Sequence, residues 1–510
     1  MSHSLDNSLK RSAIIDDIKC ALFSRPIQII LAMSTLFRIV FHFFVLPNSP
    51  SGLGPDEGTY AALAKYVSQG LPVEDFPAYG AGLYNSAKSI TLPSAFLIQL
   101  GLHELGAVRV VASTYGLASS LVFALCFLAL LRLRGQTFDK LSLKSNKKFV
   151  ALLVTYTFFP SNFIWSTIGL RESGSQFWLM TTFYLILKLL NSAGRDLWKV
   201  TGLCSLALTL AHGARPETAL VFSLIALLTS IVLLFKVQKI LPLIAILLGV
   251  FAGQAFTTTP NVLAEESLGA FEIVEQKPSQ SATPQSVESN QSATPQSVEN
   301  VEGKQNESVS NSCTQENQLI EIEGKKFRCK TYKTYQIEER NPTKTLEKKI
   351  LTMQILEYKR NVNTVDAQSA LRTTTCQSSS RDTFVLIECN LKELPYRLIA
   401  FLFRPLIFLD QGSTTLTLAA LENLGWMILV PLSIWVSLRR RENNVDLFIN
   451  LGLTAYVLAF ASAAALYEGN LGTAFRHKST IIWPLLFLLV INPNSYFQSK
   501  RKAVQDHRHE

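Results

Sequence analysis

The sequence predicts an all-α polytopic membrane protein of about ten transmembrane helices, with external juxtamembrane helices and one large extracytoplasmic insertion. Three observations predict it. Apolar residues make up 48% of the chain while charged residues fall to 17%, which is a membrane composition. The apolar residues gather into runs, and a hydrocarbon core of roughly 30 Å needs about 20 of them per helix. The formal charge is +10, yet Lys and Arg sit between the runs. They do not form one amphipathic face interleaved with aromatics, so they set topology and do not mark a nucleic-acid partner.

The first run extends from Pro26 to Leu46, contains Arg38 and His42, and is not followed by a small-residue cleavage site. It reads as a retained first span, not a signal peptide. Further spans are expected at 107–131, 149–168, 173–190, 199–213, 217–235, 240–257, 413–437, 446–466 and 479–496. Short cytoplasmic loops carry the excess of Lys and Arg, and one alternation satisfies nearly all of them. It places Lys10, Arg11, Lys19 and Arg25 inside, then Arg132 to Lys148, Lys188 to Lys199, Lys236 and Lys239, Arg439 to Arg441, and the tail with Lys500, Arg501 and Lys502. Both termini are therefore expected in the cytoplasm.

That alternation divides the chain into an N-terminal transmembrane module, 1–257, an extracytoplasmic loop, 258–395, and a C-terminal module with its tail, 396–510. Residues 47–106 form the first external loop. The larger loop opens with a tandem repeat, QSATPQSVE at 280–288 and again at 291–299. It is too polar and Pro-rich to bury a core, so disorder is expected over 276–312. Cys313, Cys329, Cys376 and Cys389 follow, in a region that topology places in an oxidising compartment, and two disulfides are expected across 313–395 with three connectivities open. Cys20, Cys126 and Cys204 lie in or beside spans and read as small buried hydrophobes.

Ionisable groups at membrane depth are functional candidates because burying them is costly. Here they sort to the outer side. Asp56 and Glu57 follow the first span; Arg171 and Glu172 occupy the turn between the third and fourth; His212, Arg215 and Glu217 that between the fifth and sixth. Arg404 lies in an apolar external segment at 396–409, and Glu468, Arg476, His477 and Lys478 precede the last span. The most informative stretch is GPDEGTYAALAKYVSQG at 54–70, an acidic pair at the start of a helix whose Tyr60, Leu63, Ala64 and Val67 share one face. This is expected to lie along the membrane surface. On a structural reading Asp56 only caps that helix.

An Asp-Glu pair in the first external loop, followed by a Tyr/Ala-rich juxtamembrane helix, resembles the GT-C superfamily of polyprenyl-phosphate-dependent glycosyltransferases, in particular the family-39, protein-mannosyltransferase-like type. LPSAFLIQLGLHELG at 92–106, GAVRVVAS at 106–113, PSNFIWSTIGLRES at 160–173 and GARPETALVF at 213–222 agree with it. The resemblance covers about residues 26–240 as architecture. FLFRP at 401–405, LENLGW at 421–426 and EGNLGTAFRHKS at 468–479 resemble bacterial envelope proteins of surface-polysaccharide pathways. The resemblance implies a bacterial plasma-membrane enzyme that takes a sugar from a polyprenyl-phosphate donor in the bilayer to a cell-surface glycan, lipid or protein acceptor. A divalent metal assists some members of the superfamily, though no carboxylate cluster here compels one.

In that reading the leaving group is an anionic phosphate, which suits guanidinium groups, and Arg171, Arg215, Arg404 and Arg476 are the candidates to hold it. Each has a structural alternative as a snorkelling residue or a bundle ion pair. Asp56 would take the acceptor proton as general base, Glu57 would bind the acceptor or pair with an Arg, and His477 would position phosphate or acceptor. His42 and His103 read as structural. The competing readings are a polysaccharide polymerase or ligase, and a lipid-linked sugar flippase or transporter; the latter requires an internal repeat and midplane charges, which the sequence lacks. No GxxxxGK[ST], HExxH or GxSxG motif is present, which gives ATP-driven transport, zinc proteolysis and α/β-hydrolase chemistry little weight.

Overall fold

The computed structural model describes residues 14–46, 55–73, 76, 80–133, 147–191, 197–237, 240–257, 271–273, 319–322, 325–329, 383–408, 414–438, 444–467 and 471–490. The chain separates into two compact units, 260–340 and the remainder. In the remainder, the described elements are helical. They are α1 (Ile14–Leu22), α2 (Arg25–Val40, continuing as a π-helix over Phe41–Val45), α3 (Pro55–Ser68), α4 (Gly80–Asn85), α5 (Lys88–Gln99), α6 (Glu104–Leu133), α7 (Lys147–Phe158), α8 (Pro160–Trp165) and α9 (Glu172–Asn191). Then follow α10 (Leu197–Ala214), α11 (Pro216–Val237), α12 (Leu241–Thr257), α13 (Thr383–Phe403), α14 (Thr414–Leu438), α15 (Asn444–Tyr467), α16 (Leu471–Lys478), a 3-10 turn at Ser479–Ile481 and α17 (Ile482–Val490).

Five helices are long and apolar enough to cross a membrane: Arg25–Val45, Glu104–Leu133, Pro216–Phe235, Ala419–Ser437 and Leu447–Leu466. This is a helical membrane protein. Its outward face agrees, since Leu220, Leu224 and Leu228 on α11 and Leu424 and Ile428 on α14 recur at helical spacing and are all exposed, a lipid-facing stripe and not a water-facing one.

Several of the other expected spans fall short for visible reasons. The run at 149–168 is not one helix. Pro160 has no N–H to give and forces Phe159 into an extended conformation, φ −59 and ψ 123, so α7 ends at Phe158 after 12 residues, about 18 Å. The helix α9 opens on the polar string Glu172-Ser173-Gly174-Ser175-Gln176, α12 has 17 residues, and α17 is described only to Val490. The predicted boundary at 396 also shifts, because α13 begins at Thr383 and packs on α15. Glu388, Lys392, Glu393 and Pro395 break the hydropathy there without breaking the helix.

The unit 260–340 adds a departure from the all-α expectation. Strands β1 (Phe271–Ile273), β2 (Leu319–Ile322) and β3 (Lys325–Cys329) form an antiparallel sheet in the order β1-β3-β2, with Phe271 opposite Cys329 and Leu319 opposite Arg328. The tract expected to be disordered, 276–312, and two of the four cysteines expected in disulfides, Cys313 and Cys376, lie outside the described residues. Of Cys329 and Cys389 only the backbone is described. Cys126 and Cys204 are buried free thiols, as expected of small hydrophobes, and Cys20 is partly buried.

The last helix is the centre of the bundle. Ile481, Ile482, Trp483 and Leu485 to Leu488 are almost wholly buried, so α17 is apolar all round, as a helix surrounded by others must be. Phe487 stacks on Phe123 of α6 at 4.5 Å, Phe123 stacks on Tyr156 of α7 at 4.7 Å, and Trp483 meets Phe183 of α9 at 5.4 Å and Tyr456 of α15 at 6.0 Å. Anything that precedes α17 is thereby held over the middle of the bundle end.

Charge sits at the two ends of the long helices. At one, buried Asp17 of α1 meets Lys188 of α9 at 3.0 Å, Arg132 of α6, and the Tyr184 hydroxyl at 2.8 Å. At the other stand Arg109 of α6 and Glu172 of α9. The 24 residues from Arg109 to Arg132 span roughly 35 Å, the depth of a bilayer core.

The helices α10 and α12 approach through glycine. Gly249 and Gly253, a GxxxG pair, leave no room for a side chain: a Cβ at Gly249 would lie 2.9 Å from Leu208 Cβ and 3.0 Å from the Ser205 carbonyl. Ser205 Oγ uses the approach to donate to the Ala245 carbonyl at 2.9 Å, the small-residue packing that membrane helices rely on. Gly249→Val is expected to cost about 1–3 kcal/mol by overpacking, read as a lowered melting temperature of the full chain in detergent.

Candidate active site

The site is built at the bundle end that carries Arg109 and Glu172. The sequence starts α9 at Glu172 because Gly169 ends the preceding turn in the left-handed region, φ +67, where a side chain is strained. Ser173 closes the turn by donating from Oγ to the Leu170 carbonyl at 3.0 Å. The Glu172 carboxylate stands at the helix N-terminus, where the macrodipole favours negative charge.

Glu172 is 1% exposed and is met by two guanidiniums from distant segments. Arg215 Nη1, in the α10–α11 turn, donates to Oε1 at 3.1 Å, and Arg476 Nε, on α16, lies 3.0 Å from the same oxygen. Arg476 Nη1 also donates to Asp56 Oδ2 at 2.5 Å, so Asp56 at the start of α3 joins the cluster. Arg215 donates through Nη2 to the His477 ring. Arg171 donates to the Ser86 carbonyl at 3.0 Å, while its Nε and Glu172 Oε2 are buried without a hydrogen-bond partner.

Four of the outer connections singled out in the sequence, carrying Asp56, Arg171, Arg215 and Arg476 with His477, thus meet in one place. The 3%-exposed Tyr60 lies among them; burial raises its phenol above the usual value, and the charges of Arg171, Glu172, Arg476 and Asp56 act on it in opposing directions. It faces the cluster as a neutral hydroxyl. The face of α3 that bears it, with Ala64, packs into an apolar cluster with Ile90, Val108, Val111 and Ala112. That face is turned to the protein, against α5 and α6.

Two expected site residues have other surroundings. Glu57 is 8% exposed and accepts a bidentate pair from Arg109, at 2.6 Å from Nε and 3.0 Å from Nη2, so it fastens α3 to α6. Gly169 makes room for it, since a Cβ there would lie 3.0 Å from Glu57 Oε1. Arg404 is linked to the site's scaffold by its carbonyl, which accepts from Lys478 Nζ at 2.5 Å. His103 is largely exposed and Nδ1 accepts from the Leu105 N–H at 3.4 Å, at the start of α6, the structural role expected of it.

In sequence Lys478 is one of the charged groups before the last span, with no role assigned to it. Its ammonium is wholly buried and donates to the Leu402 and Arg404 carbonyls, at 3.2 and 2.5 Å, and to Asn423 Oδ1 at 2.7 Å. It satisfies orphan carbonyls at the end of α13 and pins α16, with Arg476 and His477, in place.

Asp56 and Glu172 are both engaged by Arg476, Glu217 lies in the field of Arg171 and Arg215, and no group of three or more His, Cys, Asp or Glu that could hold a metal ion stands together among the described residues. This donor set does not fit a divalent cation, and no step below runs through one. No family model, curated protein or solved structure matches the chain.

Two outcomes check the site. Burial by itself would raise the Glu172 carboxyl, but Arg476, Arg215 and Arg171 outweigh it and hold it down at about 2. Its contribution to stability is therefore full above the unfolded value of about 4.3 and is lost as pH falls towards about 2. Acid titration of the melting temperature should show that loss below about pH 4.3 in the wild type and a shallower one in Glu172→Gln. Gly169→Ala should cost about 1–2 kcal/mol from its backbone alone, seen in thermal unfolding.

Proposed function

We propose that the chain is a membrane glycosyltransferase of GT-C type, which moves a sugar from a polyprenyl-phosphate donor to a hydroxyl of a cell-surface glycan, a lipid or a protein. The reading places the site at the outer face of a bacterial plasma membrane, with about ten spans, both termini cytoplasmic and the loop 258–395 outside. One observation carries it: Arg171, Arg215 and Arg476 gather with a half-exposed aspartate at one end of an apolar, lipid-facing bundle. A cluster of guanidiniums there suits an anion carried on a lipid, because each binds phosphate oxygens through parallel N–H donors while the tail stays in hydrocarbon.

The chemistry is a single displacement. The acceptor oxygen attacks the anomeric carbon as Asp56 takes its proton; the bond from that carbon to the phosphate oxygen breaks, and its electron pair leaves with the phosphate. Arg215 and Arg476 face the charge that develops on that oxygen, where fixed cations in a water-poor site are most effective. His477, bonded to Arg215, and Lys478 hold these donors still. Glu57 contributes by anchoring the helix that carries Asp56.

Transfer from a panel of radiolabelled polyprenyl-phosphate sugars, by membranes with matched amounts of protein, tests the reading. Asp56→Asn should lose at least about 100-fold, the scale of general-base catalysis, and Arg215→Ala should lose activity with a raised KM for the donor. Full activity in both variants, or no consumption of any donor by the wild type, would contradict it. The topology is checked separately. In intact cells an antibody should reach an epitope inserted in the 280–299 repeat and not one at the C-terminus; the reverse would place the site on the wrong side.

A further inference from the structure

Arg476 is shared between two carboxylates that differ in one respect. Glu172 is shut away, its side chain 1% exposed, whereas the Asp56 side chain is 45% exposed. Arg476 itself is 13% exposed, with Nε turned to the buried Glu172 and Nη1 to the half-exposed Asp56. The two contacts therefore differ in what it takes to break them. Removing a partner from a buried pair leaves an uncompensated buried charge, which is strongly unfavourable, while an ion pair with a solvated member is weak because water can replace the partner.

We infer that Glu172 is a positioning residue that holds Arg215 and Arg476 ready for an anion, and that the Asp56–Arg476 contact is a latch which the donor phosphate opens. An arriving phosphate meets Arg476 on the side Asp56 occupies. It can displace Asp56, which has water to turn to, but not Glu172. The proton acceptor of the proposed reaction is then masked by a guanidinium until the leaving group is in place, and freed by the event that makes it useful. Donor binds before acceptor, and phosphate and Asp56 compete for one guanidinium. Glu57 has no part in this competition, because Arg109 already holds both its oxygens at 2.6 and 3.0 Å.

This inference rests on the proposed phosphate site, and its test separates the two. The probe is farnesyl phosphate, with farnesol as control, titrated against the detergent-purified full chain. Asp56→Asn should bind farnesyl phosphate roughly threefold to fivefold more tightly than wild type, the scale of a half-exposed ion pair. Glu104→Gln, which removes a part-exposed carboxylate paired with Lys65 at the start of α6 and outside the latch, should stay within about twofold. Glu172→Gln should bind at least about tenfold more weakly, with Glu172→Asp restoring part of the loss.

If Asp56→Asn binds no more tightly than wild type, the latch is wrong and the phosphate site stands. Equal tightening in Asp56→Asn and Glu104→Gln would also sink it, since any removed negative charge would then suffice. Undiminished binding by a folded Glu172→Gln would remove Glu172 from the positioning role. If wild type binds farnesyl phosphate no better than farnesol, the phosphate site fails and takes the latch with it.

Discussion

A carboxylate almost wholly shut off from solvent must either take a proton or be matched by cations, and Glu172 is matched by guanidiniums from two distant segments. That requirement ties the structure together. It binds the start of α9 to the α10–α11 turn and to α16, and through Arg476 it reaches Asp56 at the start of α3. Because α17 runs through the middle of the bundle with its aromatic stack, α16 cannot drift from the axis, and Lys478 fixes it further on the end of α13. The electrostatic knot and the apolar core hold the same segments from two directions.

Much of this was legible in the sequence, and what was missed has a physical reason. Hydropathy shows where apolar runs end, so it placed Asp56, Arg171, Arg215 and Arg476 at helix ends on one side. It does not show which faces of those ends meet. The two members of the acidic pair at 56–57 look equivalent in sequence, yet a helix turns about 100° between neighbours, and Glu57 points to Arg109 while Asp56 points to Arg476. Glu172 was visible only as the neighbour of an arginine. Its burial depends on Gly169 and on how α9 packs, which no local pattern encodes. The break at Pro160 was the opposite case, since proline chemistry alone predicts an interruption that a hydropathy window averages away.

The bundle also separates two kinds of polar cluster. Around Asp17, a carboxylate is matched by Arg132, Lys188 and a tyrosine hydroxyl and is itself fully buried, as suits a permanent fastening of α1 to α6 and α9. Around Glu172 the match is looser. Arg171 Nε and Glu172 Oε2 are buried without partners, and one member of the cluster, Asp56, reaches solvent. Unspent hydrogen-bonding capacity in a buried site is costly, and it is where a ligand gains most by binding.

The most direct measurement is a cryo-electron microscopy map of the full chain in lipid nanodiscs with a non-hydrolysable prenyl-phosphonate sugar bound. The account predicts phosphonate oxygens within hydrogen-bond reach of Arg215 and Arg476, Glu172 still between them, and Asp56 turned from Arg476 towards the sugar. A phosphonate seated elsewhere, or Asp56 still paired with Arg476 beside an occupied site, would contradict it.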